Sequence, residues 1–355
     1  MQRKHYLRSI KVIAILLLIA LTFTACHVAH DEYPELLSIR THTDLQAAYL
    51  TDEYANVNLY AHGTEELSRP LPATILLSDE FISLEYSDNI RFEGAVTVNV
   101  TEGRAEIYNL KTDLPYYYRG MKANGEKGEI GGIIVENVLP RNLYIDGVTN
   151  ARDLGGYATS NGKIKEGMIY RTAKLNKNKT DEPVPLITGK GIETMLNVLN
   201  VRTEIDLRKV DDNEIGSLSA SVLGPSVKYV NCPMSYNTDM PVANSDSIRT
   251  IFSLLAKEES YPLFFHCSIG TDRTGFIAFL ILSLLGAAQE DVYRDYLFSN
   301  FGNIGGERTT LNLLGFTAFI SLQTGGNMLE KTENYLISLG VTMEEIQSIR
   351  RIMLE

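Results

Sequence analysis

The chain is poor in the residues that hold metals, bridge strands covalently or attract polyanions. It has six histidines in 355 residues, and His266 is the only one beyond His62. A zinc or two-metal hydrolytic centre draws on several clustered histidines, and none are available there. A Cys–His protease dyad is excluded too, because His266 and Cys267 are strand neighbours whose side chains face opposite ways. Cysteine is as scarce. Cys26, Cys232 and Cys267 are too few for a disulfide framework, so the fold rests on its core. Positive charge is in deficit, with 33 Lys and Arg against 44 Asp and Glu, a formal −11. That balance gives no support to a nucleic-acid partner, and an anionic substrate would have to be held by a local device.

The N-terminus is the exception to this acidity. Arg3, Lys4, Arg8 and Lys11 precede the apolar run VIAILLLIALTF, and no Asp or Glu occurs in residues 1–25. This is the pattern of a secretory signal. TAC, ending at Cys26, resembles the bacterial lipoprotein cleavage box, with Phe23 in place of the commoner aliphatic residue. The resemblance implies a signal peptide over 1–25, lipidation of Cys26 and a membrane-anchored body outside the cytoplasm. An uncleaved anchor is the alternative. Without the first 25 residues the charge balance is 29 basic against 44 acidic residues.

Residues 26–45 are polar and mixed and read as a tether. From 46 to 140 short alternating runs follow one another: ATILLS, FISLEYS, GAVTVNV, RAEIYNL and YYYRGMKA. Turn residues at Pro70, Pro72, Asp88-Asn89, Glu102-Gly103 and Asn124-Gly125 separate them. Such spacing predicts an all-β sandwich. The stretch YNLKTDLPYYYR is similar to the late strands of a fibronectin type III domain. Beyond about 141 the pattern changes to strands at 203–208, 227–233 and 261–267 alternating with helices at 188–200, 245–258, 274–286, 289–298, 327–339 and 342–353. That alternation predicts an α/β domain with a mostly parallel sheet flanked by helices.

The chemistry concentrates in HCSIGTDRTG, residues 266–275, between the apolar strand YPLFF and the helix FIAFLILSLLG. A loop from strand end to helix N-terminus turns backbone N–H groups inward, and the helix dipole adds positive potential; together they bind a phosphate dianion. Ser268, Ile269, Gly270, Thr271, Asp272, Arg273 and Thr274 would line that cradle. Gly270 avoids a Cβ clash. Cys267 at its mouth would ionise and act as nucleophile. Arg273 would grip two phosphate oxygens in a fork that lysine cannot reproduce. Thr274 would hydrogen-bond the thiolate.

The segment matches the HCxxGxxRTG signature of the protein tyrosine phosphatase superfamily. NARDLGGY, IYRTAKLN, IDLR, RDYLFSN and GVTMEEIQSIR follow in the order seen in bacterial tyrosine and lipid phosphatases of the atypical dual-specificity type. The resemblance covers about residues 141–355 and implies a cysteine-phosphatase fold, a phosphocysteine intermediate and no cofactor or metal. The implied substrate is a phosphorylated protein, a phospholipid or an inositol phosphate. Close relatives carry lysine where this chain has Thr271, which weakens the lipid or inositol reading.

A general acid is needed, and two aspartates compete: Asp272 inside the loop and Asp239 in NCPMSYNTDMPV. Asp272 is favoured because the loop fixes its distance. Arg171 would add charge near the site or form a surface ion pair. Asn150, Arg152 and Asp153 would form a supporting turn beneath it. Cys232 is either a buried small residue or the partner of Cys267 in a reversible disulfide. Two other classes stay open: a weak phosphate-binding pseudophosphatase, and an envelope adhesion protein acting through the β-sandwich.

Overall fold

The computed structural model describes residues 33–178, 184–210, 214, 218–236 and 239–355. The signal segment, Cys26 and the start of the tether lie outside the described residues. Among the described residues, no helix is long and apolar enough to cross a membrane.

The alternating runs form two sheets. One has five strands in the order Leu36–Ile39, Gly131–Val135, Pro115–Lys122, Phe81–Ser87 and Val96–Asn99; the other pairs Ala73–Leu76 with Arg104–Ile107. The period of two turns Ala73, Ile75, Ala105 and Ile107 of the smaller sheet inward against Leu84, Tyr86, Tyr116 and Ile133 of the larger. Two of these strands, Leu36–Ile39 and Gly131–Val135, were not expected. They pair in parallel, closing the sheet's edge with the stretch read as tether.

The boundary of this unit also differs from the expectation. The helix Asp44–Leu50 carries a capping box from Thr43 and Gln46 and leaves the sandwich altogether. Tyr49, Val57 and Ala61 join the larger core of the C-terminal half. Arg294 donates to the carbonyls of Tyr49 (3.0 Å) and Asp52 (2.9 Å), and Gly63 and Leu67 bond the backbone of Asn300 and Phe301. Residues 44–67 therefore belong with the α/β body, because their apolar face has its partners there.

That body is built on a five-stranded sheet in the order Lys228–Asn231, Thr203–Asp206, Leu263–His266, Ile169–Thr172, Arg152–Asp153. All neighbours are parallel except the last pair, giving a mixed α/β fold with a mostly parallel sheet. The helix Asp272–Leu285 is buried along its whole length, as a segment apolar on every side must be. A helix at Thr310–Ser321, apolar on both faces, was missed for want of a 3.6-residue polar stripe.

The two units meet through Arg141. Its Nε and Nη2 donate to the carbonyls of Leu110 (3.0 Å) and Asn109 (2.6 Å), and its Nη1 donates to Asp153. Asp153 also accepts from the amides of Gly155 (2.8 Å) and Gly167 (2.6 Å) and is fully buried. Burial raises its proton affinity, and Arg141 opposes that. Arg141→Ala strands this carboxylate and should destabilise the protein by about 3–5 kcal/mol in denaturant unfolding. Lys163→Ala removes an exposed pair with Asp113 at 3.3 Å and should cost under about 1 kcal/mol.

Candidate active site

The strand Leu263–His266 is buried on both faces and delivers the chain to the loop 267–271 at the sheet's C-terminal edge. Gly270 sits at φ +69°, and a Cβ there would lie 2.5 Å from the Thr172 carbonyl. Only glycine fits this approach. The loop carbonyls are tied down from beneath. Asn150 Nδ2 donates to Ile269 (3.2 Å) and Gly270 (3.1 Å), Arg171 Nη2 to Gly270 (2.8 Å), and the Lys174 amide to Ser268 (3.4 Å). In a trans peptide the N–H lies opposite the C=O, so the amides of Ile269, Gly270 and Thr271 point away from the groups that hold these carbonyls.

Beneath the loop lies a buried ionic cluster. Asp295 accepts Arg152 Nε (2.9 Å) on one oxygen and Arg171 on the other, and all three residues are at most 1% exposed. Arg152 also donates to the Asn150 side chain, which orients the amide that holds the loop. Burial, with Arg152 nearby, pulls Arg171 down to about 10, and Asp295 opposes this. At the other end of the loop, Gly275 lets the ring of Tyr296 approach: a Cβ would lie 2.5 Å from it.

Above the loop opens a cavity of about 520 Å³. Cys267, Ser268, Ile269, Asp272, Arg273, Arg308, Glu214, Lys209 and Tyr236 are among its lining residues. Arg273 meets the Glu214 carboxylate end-on, Nη1 at 2.6 Å and Nη2 at 2.7 Å. The Lys209 amide and the Ser268 hydroxyl complete the grip on Glu214 at 2.9 and 2.7 Å. Burial would raise the Glu214 carboxyl, but these hydrogen bonds, Arg273 first, hold it down at about 2. Burial likewise lowers Arg273, and Glu214 and Cys267 more than reverse it. Asp272 is held by Arg308, Nε to Oδ1 at 2.8 Å and Nη2 to Oδ2 at 2.9 Å, and accepts from the Tyr296 hydroxyl at 3.1 Å.

A profile described as Tyrosine phosphatase family matches residues 143–355. The chain belongs to the tyrosine phosphatase family. A Cupriavidus necator protein carrying the name of a tyrosine-protein phosphatase is 27% identical over 195 residues, covering 48% of this chain and 67% of that one. Two solved structures are distant likenesses at 15% identity. They are TpbA of P. aeruginosa, a cysteine-to-serine form with pTyr (TM-score 0.30; 50% of this chain, 88% of that one), and the S. cerevisiae PP-IP phosphatase SIW14 core with citrate (TM-score 0.29; 41% and 78%). The chain is thus a tyrosine-phosphatase-like hydrolase.

The phosphatase brings some of the expected residues together and disperses others. Cys267, Asp272 and Arg273 line the cavity. Thr271 is fully buried and faces inward, bonded to Ile269 and Asn150. The Thr274 hydroxyl is buried with no hydrogen-bond partner, at the first turn of the helix below. Asp239 opens the short helix Met240–Ala243 and is absent from the cavity lining, where the carboxyls are Asp272 and Glu214. Arg171 is a buried support of the loop rather than a surface pair or a substrate ligand. Asp153 is spent on the unit junction and has no place in the site. Cys232 and Cys267 are both free; burial and Asp206 push the Cys232 thiol up to about 12, which makes it a poor disulfide partner.

Metal-ligating types gather only once among the described residues, at Glu204, Asp206 and His266. His266 Nε2 meets Glu204 Oε1 at 3.0 Å, Arg208 and Tyr229 hold Asp206, and Glu204 Oε2 is buried without a hydrogen-bond partner. Glu214, Asp295, Tyr296 and Arg308 were not foreseen as site residues. Asp295 and Tyr296 lie inside the RDYLFSN motif, which was the available signal; Arg308 and Glu214 had none.

The depressed Glu214 carboxyl carries a pH signature. Its folded-state value lies below the ordinary 4.5, so its contribution is complete above pH 4.5 and is lost as pH falls toward about 2. Unfolding midpoints measured from pH 5 to 2.5 should fall less steeply for Glu214→Gln than for the parent.

Proposed function

We propose that this protein hydrolyses phosphomonoesters through a phosphocysteine intermediate. The observation that supports this is the cavity lined together by Cys267, Ser268, Ile269, Asp272 and Arg273. The thiolate attacks phosphorus while the bond to the leaving oxygen breaks, and that oxygen takes the Asp272 proton. Loop amides and Arg273 hold the equatorial oxygens, where negative charge accumulates. Glu214 occupies the Nη1–Nη2 end of Arg273, so the Nε edge is the one available to phosphate. Water then attacks phosphorus, giving its proton back to Asp272, and the S–P bond breaks to release phosphate and thiolate.

The family and the relative's name favour phosphotyrosine; phosphoserine, phosphothreonine and inositol or lipid phosphates fit the same chemistry. The sequence reading supplies the setting. Lipidation at Cys26 would place the enzyme on the outer side of a membrane, carrying a fibronectin-like sandwich beside it. Phosphate release from a phosphotyrosine peptide should fall by at least about a thousandfold in Cys267→Ser. Asp272→Asn should lower kcat by about 10²–10⁴, and by less with a p-nitrophenyl leaving group, which needs no proton. Added chelator should change neither rate. Full activity in Cys267→Ser would exclude the reading.

A further inference from the structure

The helix Thr310–Ser321 is apolar on two opposite faces, and only one of them is covered. Leu313, Phe316, Thr317 and Ile320 turn to the core, where the Phe316 ring meets Phe276, Phe279 and Tyr296. Leu311, Leu314, Gly315, Ala318 and the C-cap Leu322 are exposed. At 3.6 residues per turn these five share an arc of about 100°, opposite the buried residues. Leu311 is 74% exposed, Leu314 55% and Leu322 85%. A lone exposed leucine needs no explanation, but three on one stripe do. Val242, on the adjoining helix Met240–Ala243, is exposed as well.

The stripe is firmly placed. Thr309 and Asn312 close a capping box at its start, and the Arg308 amide and carbonyl are bonded to the Asn300 side chain at 2.7 and 2.8 Å. It begins beside the cavity, which Arg308 lines. Charge, size and tether narrow what covers it. No charged residue occurs from Thr309 to Leu329, so the segment has no ionic means of selecting a protein partner. At 12 residues the helix is about 18 Å long, and one face of it falls well short of the roughly 800 Å² per partner that a stable dimer buries. It is also shorter than the roughly 20 residues that span a bilayer, so a lipid surface meets it side-on. The described residues begin at Tyr33, and the stretch from Cys26 to there reaches at most about 25 Å. A lipid on Cys26 therefore keeps the body close to the bilayer.

We infer that this stripe is a membrane-docking face: Leu311, Leu314, Ala318 and Leu322 enter the acyl boundary of the bilayer, with the helix axis in the membrane plane. The attraction is apolar burial rather than charge, because the face has no cation to meet anionic lipid. Arg308, just before the helix, is thereby held near the lipid surface. Nearness of the bilayer rests on the Cys26 reading above; the stripe itself does not.

The chain has no tryptophan, so a single one can report from a chosen place. Leu314→Trp puts it on the stripe, and Leu76→Trp puts it at an exposed position of the smaller sandwich sheet. Full-length chains with either change are reconstituted on phosphatidylcholine vesicles, with and without brominated acyl chains. Emission of the Leu314→Trp chain should shift to the blue and be quenched by bromolipid, and that of Leu76→Trp should do neither. Adding Leu311→Asp should lower the docked-to-free ratio about tenfold or more, the size of burying one leucine. Raising salt from about 0.05 to 0.5 M should change nothing. Leu311→Trp takes over as reporter if the first variant does not fold.

Equal quenching at both positions would mark tethering without docking, and no quenching of the Leu314→Trp chain would leave the stripe in water; either overturns the inference. So would quenching that salt abolishes. A blue shift without vesicles that grows with protein concentration would assign the stripe to a second copy and overturn it too. A full chain recovered in the soluble fraction fails the Cys26 reading alone, and the same reporters with added vesicles then decide the stripe.

Discussion

Everything in the site hangs on one buried carboxylate. Asp295 neutralises only one of the two guanidinium groups it touches, so Arg152, Asp295 and Arg171 leave a net positive charge under the loop. Burying three charges is tolerable only when they are well paired, and here part of the pairing reaches the loop above while Arg171 Nε stays without a partner. Arg152 fixes Asn150, Arg171 and Asn150 fix the loop carbonyls, and the carbonyls fix the amides. Arg171 also interacts electrostatically with Cys267. A protein of net charge −11 thus backs its pocket with buried cations in addition to Lys209, Arg273 and Arg308 in the lining.

The parts of this arrangement that were legible in the sequence are those carried by neighbouring residues. Cys267, Asp272 and Arg273 could be read as a group because they fall within seven residues, and all three line the cavity. Among the sandwich strands from 73 to 122, Ala73–Leu76 and Arg104–Ile107 could be read because each buries one face and alternates. Leu36–Ile39 could not, because its side chains are largely exposed and only the pairing with Gly131–Val135 makes it a strand. Ile169–Thr172 is buried throughout and so has no alternation. Arg308 and Glu214 look like ordinary loop charges in sequence. They become site residues only when tertiary closure sets them against Asp272 and Arg273.

The two carboxylates of the cavity are each held by an arginine. Glu214 is caught by Arg273, by a backbone amide and by the Ser268 hydroxyl, so it gives the clamp one orientation. Asp272 is held by Arg308, whose backbone amide and carbonyl are both bonded to the Asn300 side chain.

The interleaving of residues 44–67 with the segment around Phe298 and Phe301 has a consequence for biosynthesis. Tyr49 and Arg294, which bond each other, are 245 positions apart. During synthesis at roughly 5–20 residues per second, the first of them waits on the order of ten to fifty seconds for the second. The strands from 73 to 135 need no such wait and can pair as they emerge. Topology therefore sets the order in which this chain matures: the sandwich first, and the body that holds Cys267 only after nearly the whole chain has left the ribosome.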